Sequence, residues 1–253
     1  MFDVKQPLNY QASADLLKNK TILVTGASDG IGRAVALAYA KHGATVILHG
    51  RSVEKLEAVY DQIIQQGSAK PAIVPLDLAK ASLPQYQELA QVIESDLGKL
   101  DGILHNAGII SELSPIEYTD AAIWHEMMQV NINSVFMLTQ SCLLLLKQSS
   151  AASIITTSSG VARKGRAFWG PYSVSKFAIE GFTQILADEL EKTCVRINAI
   201  NPGATRTKMR AIPYPAEDVS KLMTPDDLVP LYLYLMGNDS LDVNGQSIDA
   251  QPK

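Results

Sequence analysis

The chain has 253 residues, 47% apolar and 19% charged, a balance that buries a substantial core and excludes a disordered segment. Its net charge of −4 gives no general affinity for polyanions, so nucleic acid is not an expected partner. The two cysteines, Cys142 and Cys194, are too few for a disulfide framework and lack metal-site spacing, so both read as small buried apolar residues and no metal is expected.

Residues 1–20 are mixed and polar, unlike a secretory leader, and residues 1–17 read as an appended arm. Thr21 to Thr25 reads as a strand, Gly32 to His42 as a helix, Ala44 to Leu48 as the next strand and Ser52 to Gln66 as a helix. Strand three is Ala72 to Pro75, followed by a helix over Gln85 to Leu97 and strand four at Gly102 to His105. A long helix, with room for a bend, covers Ala121 to Lys147. Its greasiest part, Ser134 to Leu146, is broken by Thr139, Gln140 and Ser141 and falls short of the roughly 20 residues of a membrane span. It reads as a helix inside the protein, and the chain is expected to be soluble and cytoplasmic. Ser153 to Thr157 is strand five, Gly170 to Leu190 a helix, Val195 to Ile200 strand six, Asp226 to Met236 a last helix and Gln246 to Asp249 a final strand.

Short β-branched strands alternating with helices predict an α/β fold: a doubly wound parallel sheet of the Rossmann type. No linker, repeat or low-complexity tract divides residues 18–253, which read as a single domain. The irregular stretch 203–225, with Pro213, Pro215 and Pro225, is long enough to be a functional loop over a site.

Thr25-Gly26-Ala27-Ser28-Asp29-Gly30-Ile31-Gly32 follows the first strand and opens the first helix. Glycines there allow a tight turn and close backbone approach, and the helix N-terminus can accept a pyrophosphate. The second strand ends Ile47-Leu48-His49-Gly50-Arg51-Ser52, and no Asp or Glu lies between Gly43 and Val53. An NAD site usually places a carboxylate at this point, whereas an Arg accommodates a 2′-phosphate. Arg51 and Ser52, with Arg33 in support, therefore favour NADP over NAD, although Asp29 sets a negative charge in the same loop.

Tyr172 and Lys176 are four residues apart on a predicted helix, so they share a face. The ammonium is expected to pull the phenol below its usual pKa of about 10, towards general acid–base work. By itself the spacing is common in helices.

These landmarks, in order, resemble the classical short-chain dehydrogenase/reductase family from about Leu17 to Asp249, especially a little-characterised bacterial branch of oxidoreductases. They are the loop at Gly26, Gly30 and Gly32; Asp77-Leu78; Asn106-Ala107-Gly108; Asn131; Ser159; Tyr172 and Lys176; and Asn201-Pro202-Gly203 with Thr207. The resemblance implies a catalytic set of Asn131, Ser159, Tyr172 and Lys176. Tyr172 would exchange the proton, Lys176 would lower its pKa and bond the nicotinamide ribose, and Ser159 would polarise the carbonyl oxygen. Asn131 would kink the long helix and hold a water joining Lys176 to solvent. Ser158 and Asn133 are near rivals that the family's spacing disfavours.

The implied cofactor contacts are Gly26, Ser28, Asp29, Gly30, Ile31 and Gly32 in the loop, then Arg51 and Ser52. Asp77 and Leu78 would meet the adenine, with Asn106, Ala107 and Gly108 beside the ribose and sheet. Pro202, Gly203, Thr205 and Thr207 would meet the carboxamide, alongside Tyr172 and Lys176. The chain departs from the family at His105, read as a packed or capping residue, and at Ser247 to Pro252, which replaces a glycine-rich ending.

The expected activity is hydride transfer between NADP(H) and a small-molecule carbonyl or secondary alcohol, by a homodimer or homotetramer. The competing class is a non-catalytic NADP(H) sensor on the same fold, which has no need of the Asn–Ser–Tyr–Lys set. An epimerase or dehydratase that recycles its nicotinamide is a second enzyme reading. Gly160 to Trp169 and the loop at Met209, Ile212 and Tyr214 are the expected pocket wall. Arg163, Lys164 and Arg166 form a basic knot that could receive an anionic substrate group.

Overall fold

The structure is a computed structural model that describes residues 7–252. Seven strands form one wholly parallel sheet: β1 (Thr21–Thr25), β2 (Thr45–Gly50), β3 (Ala72–Pro75), β4 (Gly102–His105), β5 (Ala152–Thr157), β6 (Val195–Asn201) and β7 (Ser247–Asp249). All five residues of β1 and all four of β4 are buried, as central strands covered on both faces must be. The spatial order is β3-β2-β1-β4-β5-β6-β7. The chain reverses direction of travel across the sheet between β1 and β4, and a crevice opens beyond their C-terminal ends.

Two apolar layers cover the sheet. On one face lie α1 (Gly30–Lys41), α2 (Val53–Gln65) and α8 (Val229–Met236), burying Val35, Tyr39, Leu56 and Tyr232. On the other lie α3 (Leu83–Leu97), α4 (Ala121–Met128), α5 (Ser134–Gln148) and α6 (Gly170–Glu189), burying Tyr86, Leu138, Leu146 and Leu186. The short α7 (Lys208–Ala211) lies in the irregular segment after β6.

The helix starts depart from expectation where a polar cap precedes the apolar period. α1 begins at Gly30 because Asp29 accepts the Gly30 N–H, and α3 begins at Leu83 behind a Ser82–Gln85 capping box. The expected last helix is a 3₁₀ turn at Asp226–Leu228 followed by α8, whose first turn carries Pro230.

The long helix expected over Ala121 to Lys147 runs from Ala121 to Gln148, 28 residues. Its length and mean hydropathy of 1.3 would suffice to cross a membrane, but half of that apolar window is buried against the rest of the protein. Its bend is a π turn over Gln129–Asn133 joining α4 to α5.

Residues 1–6 of the expected arm lie outside the described residues. The remainder is laid on the core: Leu17 is fully buried, and its N–H bonds His42 O at 2.9 Å. Tyr10 meets Tyr234 edge-on at 5.2 Å and donates to Asp239 at 2.6 Å.

Candidate active site

A cleft of about 480 Å³ opens where β1 and β4 end. Gly26 has a φ of 68°, a conformation that suits glycine, and a Cβ there would press on the Ala107 backbone at 3.1 Å. A Cβ on Gly32 would overlap Gly26 O, so α1 and the loop touch backbone to backbone. The first turn of α1 thereby faces the cleft with its N–H groups. Thr25 ties the two strand ends together: its Oγ1 accepts from Asn106 N and Ala107 N, both at 3.0 Å, and donates to Leu104 O.

Asp29 is occupied on both sides. It caps Gly30 N at 2.8 Å and receives Lys208 Nζ at 2.6 Å, and that bond holds its carboxyl below the ordinary range. The charge that weighed against a phosphate is therefore matched by a cation from α7.

At the β2 end, Arg51, Asp77 and Leu78 line the cleft, joined by Lys55 and His49, which sequence reasoning missed. Ser52 does not line it and instead caps α2 through Lys55 N at 3.4 Å. Arg33 gives no support there either, because its guanidinium turns to Gln62 at 2.6 Å. The His49 ring is buried with no hydrogen-bond partner among the described residues, and burial lowers its pKa to about 4. His105 is packed as expected: it meets Thr139 at 2.9 Å, and burial takes it down to about 3.

At the opposite end, β5 and α6 bring Ser159, Tyr172 and Lys176 to the cleft wall. Ser159 and Tyr172 share that wall, and Ser159 favours ionisation of the Tyr172 phenol. Lys176 is buried and donates to Thr157 O at 2.6 Å, with its Nζ 5.7 Å from the Tyr172 ring centroid. Burial pulls Lys176 down to about 8, opposed by the carboxylate of Glu180. The expectation that Lys176 lowers the Tyr172 pKa is corrected here. Burial raises the phenol, and the opposing influences are Ser159 and the charge of Arg210.

Asn131 lies behind the wall, in the π turn. Its Oδ1 accepts Ile109 N at 2.8 Å, and its Nδ2 donates to Ile109 O and Ser175 Oγ, both at 3.0 Å. Gly108 packs between it and Lys176; a Cβ there would lie 3.3 Å from Asn131 Oδ1 and 3.8 Å from Lys176 Nζ. Of the rivals, Asn133 bonds Gln129 at the surface, and Ser158 donates to buried Glu180.

Ser28, Gly30, Ile31, Asn106, Ala107, Pro202, Gly203, Thr205 and Thr207 all line the cleft, whereas Gly32 is packed beneath it. Gln251 reaches back from the chain end to Pro202 O and Ala204 O at 2.8 and 3.0 Å. The basic knot is not at the cleft: Arg163 binds Asp249 and Ser247 at 2.8 Å, and neither Lys164 nor Arg166 lines the wall. Lys208 and Arg210 supply the cations there instead. Only their charge within the irregular segment could have marked them in the sequence, because that segment has no periodicity to orient a side chain.

This architecture places the chain among the dinucleotide-binding α/β oxidoreductases, with the cleft at the switch point of the sheet. More narrowly, residues 20–217 match the short chain dehydrogenase family, and the chain belongs to the short-chain dehydrogenases/reductases. It is 51% identical over 245 residues to the uncharacterised oxidoreductase YciK of Escherichia coli strain K12, covering 97% of each chain. A short-chain dehydrogenase structure from Shigella flexneri 2a strain 301, complexed with NADP, is 50% identical with a TM-score of 0.93, covering 95% of this chain and all of that one. A structure from Escherichia coli CFT073, complexed with NADPH, is 51% identical with the same TM-score and the same coverage.

Proposed function

We propose that the protein transfers hydride between NADP(H) and a small-molecule carbonyl or secondary alcohol, with Tyr172 as the acid or base. The observation that carries this reading is the meeting of Ser159, the Tyr172 phenol and buried Lys176 on one wall of the cleft, with Lys176 one helical turn from Tyr172.

The residues present fit a dinucleotide. Gly26 and Gly32 leave no room for a Cβ beneath the loop, and the α1 N-terminus lies on the cleft. Arg51 and Lys55 set two cations at the β2 end, where a 2′-phosphate is recognised, and no Asp or Glu lies between Gly43 and Val53. The relatives complexed with NADP and NADPH support the same choice over NAD. NADPH, when bound, supplies the hydride.

Ser159 holds and polarises the carbonyl oxygen, and Tyr172 donates the proton to it. Burial keeps the phenol protonated at neutral pH, the form that reduction requires. Lys176 holds a positive charge beside the phenol, and Asn131 fixes the Ile109 backbone and Ser175 behind it.

The protein is further inferred to be a cytoplasmic homodimer or homotetramer. Both cysteines are free thiols, as a reducing compartment keeps them, and apolar side chains stand exposed on α5 and α6. The test is a carbonyl-compound screen followed by nucleotide absorbance, with NADPH and NADH in parallel. NADPH should be preferred, and Tyr172→Phe should lose about 10²-fold or more in turnover while still binding NADPH. Retained turnover in that variant overturns the role of Tyr172.

A further inference from the structure

Most walls at the catalytic end of the cleft are apolar: Ile109, Ile110, Val130, Trp169, Met209 and Pro213. Two of the cations around them are engaged elsewhere, since Lys176 donates to Thr157 O and Lys208 reaches the glycine loop at Asp29. Arg210 is paired too, but along one edge only. It lines the cleft, and its guanidinium stacks on Tyr214 at 3.7 Å from the ring centroid. Tyr214 leans on Trp169 at 5.9 Å, and Trp169 leans on Tyr172 at 5.9 Å. The stack therefore ends at the proton-donating phenol, and the Arg210 charge is felt there, favouring the phenolate.

Arg210 is also held in one pose. Glu217 accepts from its Nε and its Nη2, both at 2.7 Å, as a bidentate pair with both side chains only about a quarter exposed. Two such bonds use two of the guanidinium's five N–H groups. Stacking on one side and clamped at one edge, the fork is preorganised for planar recognition of an anion. Glu217 does not line the cleft, so a molecule there meets the cation rather than its partner.

Resting on the reductase reading, we propose that Arg210 receives an anionic group of the substrate, so that carboxylate-bearing carbonyl compounds are the preferred class. Arg210 is then a specificity-determining residue of the pocket. Glu217 orients it and moderates its charge.

The probes are 4-formylbenzoate and 4-methylbenzaldehyde, with similar rings and one carboxylate between them. Wild-type kcat/KM with NADPH should favour 4-formylbenzoate by about tenfold or more, the scale of one charge-assisted hydrogen-bond pair. Arg210→Met should erase that ratio, and Glu217→Gln should raise it by removing a competing negative charge. A merely structural role for Arg210 would lower both aldehydes together and leave the ratio in place, which overturns the proposal. So does a wild-type ratio near one. Calorimetric titration of the same two aldehydes into wild type and Arg210→Met separates the two readings. Selective binding of 4-formylbenzoate that Arg210→Met abolishes supports the anion site even where neither aldehyde turns over, and only the reductase reading then fails. Equal binding of both aldehydes overturns the anion site.

Discussion

Glu180 lies one turn beyond Lys176 on α6, as Tyr172 lies one turn before it, so three ionisable groups share a face of one helix. Glu180 is buried, accepts from Ser247 Oγ at 2.7 Å and from Ser158 Oγ, and its charge resists the effect of burial on Lys176. The lysine cation is present below about pH 8 and is lost as pH rises through that value. Carbonyl reduction should therefore decline on the alkaline side of about pH 8. Glu180→Gln removes an anion beside a cation, which lowers the lysine pKa and moves that limb to lower pH. The pH profile of kcat/KM decides this, and a limb that stays in place contradicts it. Tyr172 and Lys176 were legible as a pair from spacing. The dominance of burial over their mutual effect was not, because desolvation depends on the layers packed around α6 and a spacing carries no record of them.

At the scale of elements, the loop between β1 and α1 works by backbone contact. Gly32→Ala puts a methyl against Gly26 O and the Asn106 side chain, so the loop has to open. NADPH affinity is expected to fall about tenfold or more, corresponding to the roughly 1–3 kcal/mol of an overpacked site. Quenching of protein fluorescence by NADPH measures it, and undiminished affinity would count against the cradle. Strands β1, β3 and β4 were readable to the residue, since apolar runs there are bounded by Lys20, by Pro71 and Pro75, and by Asp101 and Asn106. Helix starts were less legible, because Asp29 and Ser82 act through caps that precede the apolar period. Ser52 and Arg33 were misplaced for a related reason: a cap bond and a bond to Gln62 draw them aside, and neither is encoded in distance along the chain.

For the molecule as a whole, α5 and α6 each carry several exposed apolar side chains. Phe136 and Leu144 stand out from α5, and Val174, Phe177 and Ile185 from α6, with Leu144 and Ile185 at 76% and 60% exposure. Surfaces of this kind are expected to be covered by a second copy. Ile185→Glu should therefore shift the solution mass towards a monomer in light scattering; a wild type that is already monomeric would remove the inference. The sequence could not separate these positions from the core, since an apolar residue reads the same on either side of a helix until its neighbours are placed. The π turn at Gln129–Asn133 explains how one rod serves both halves of its layer. A helix advances about 100° per residue, so the extra residue held in the wider turn gives α5 a different rotational phase from α4. The stripe of α4 can then face α6 while that of α5 faces α3. Asn131 sits at the change of phase, where the same offset turns its amide inward to Ile109 and Ser175.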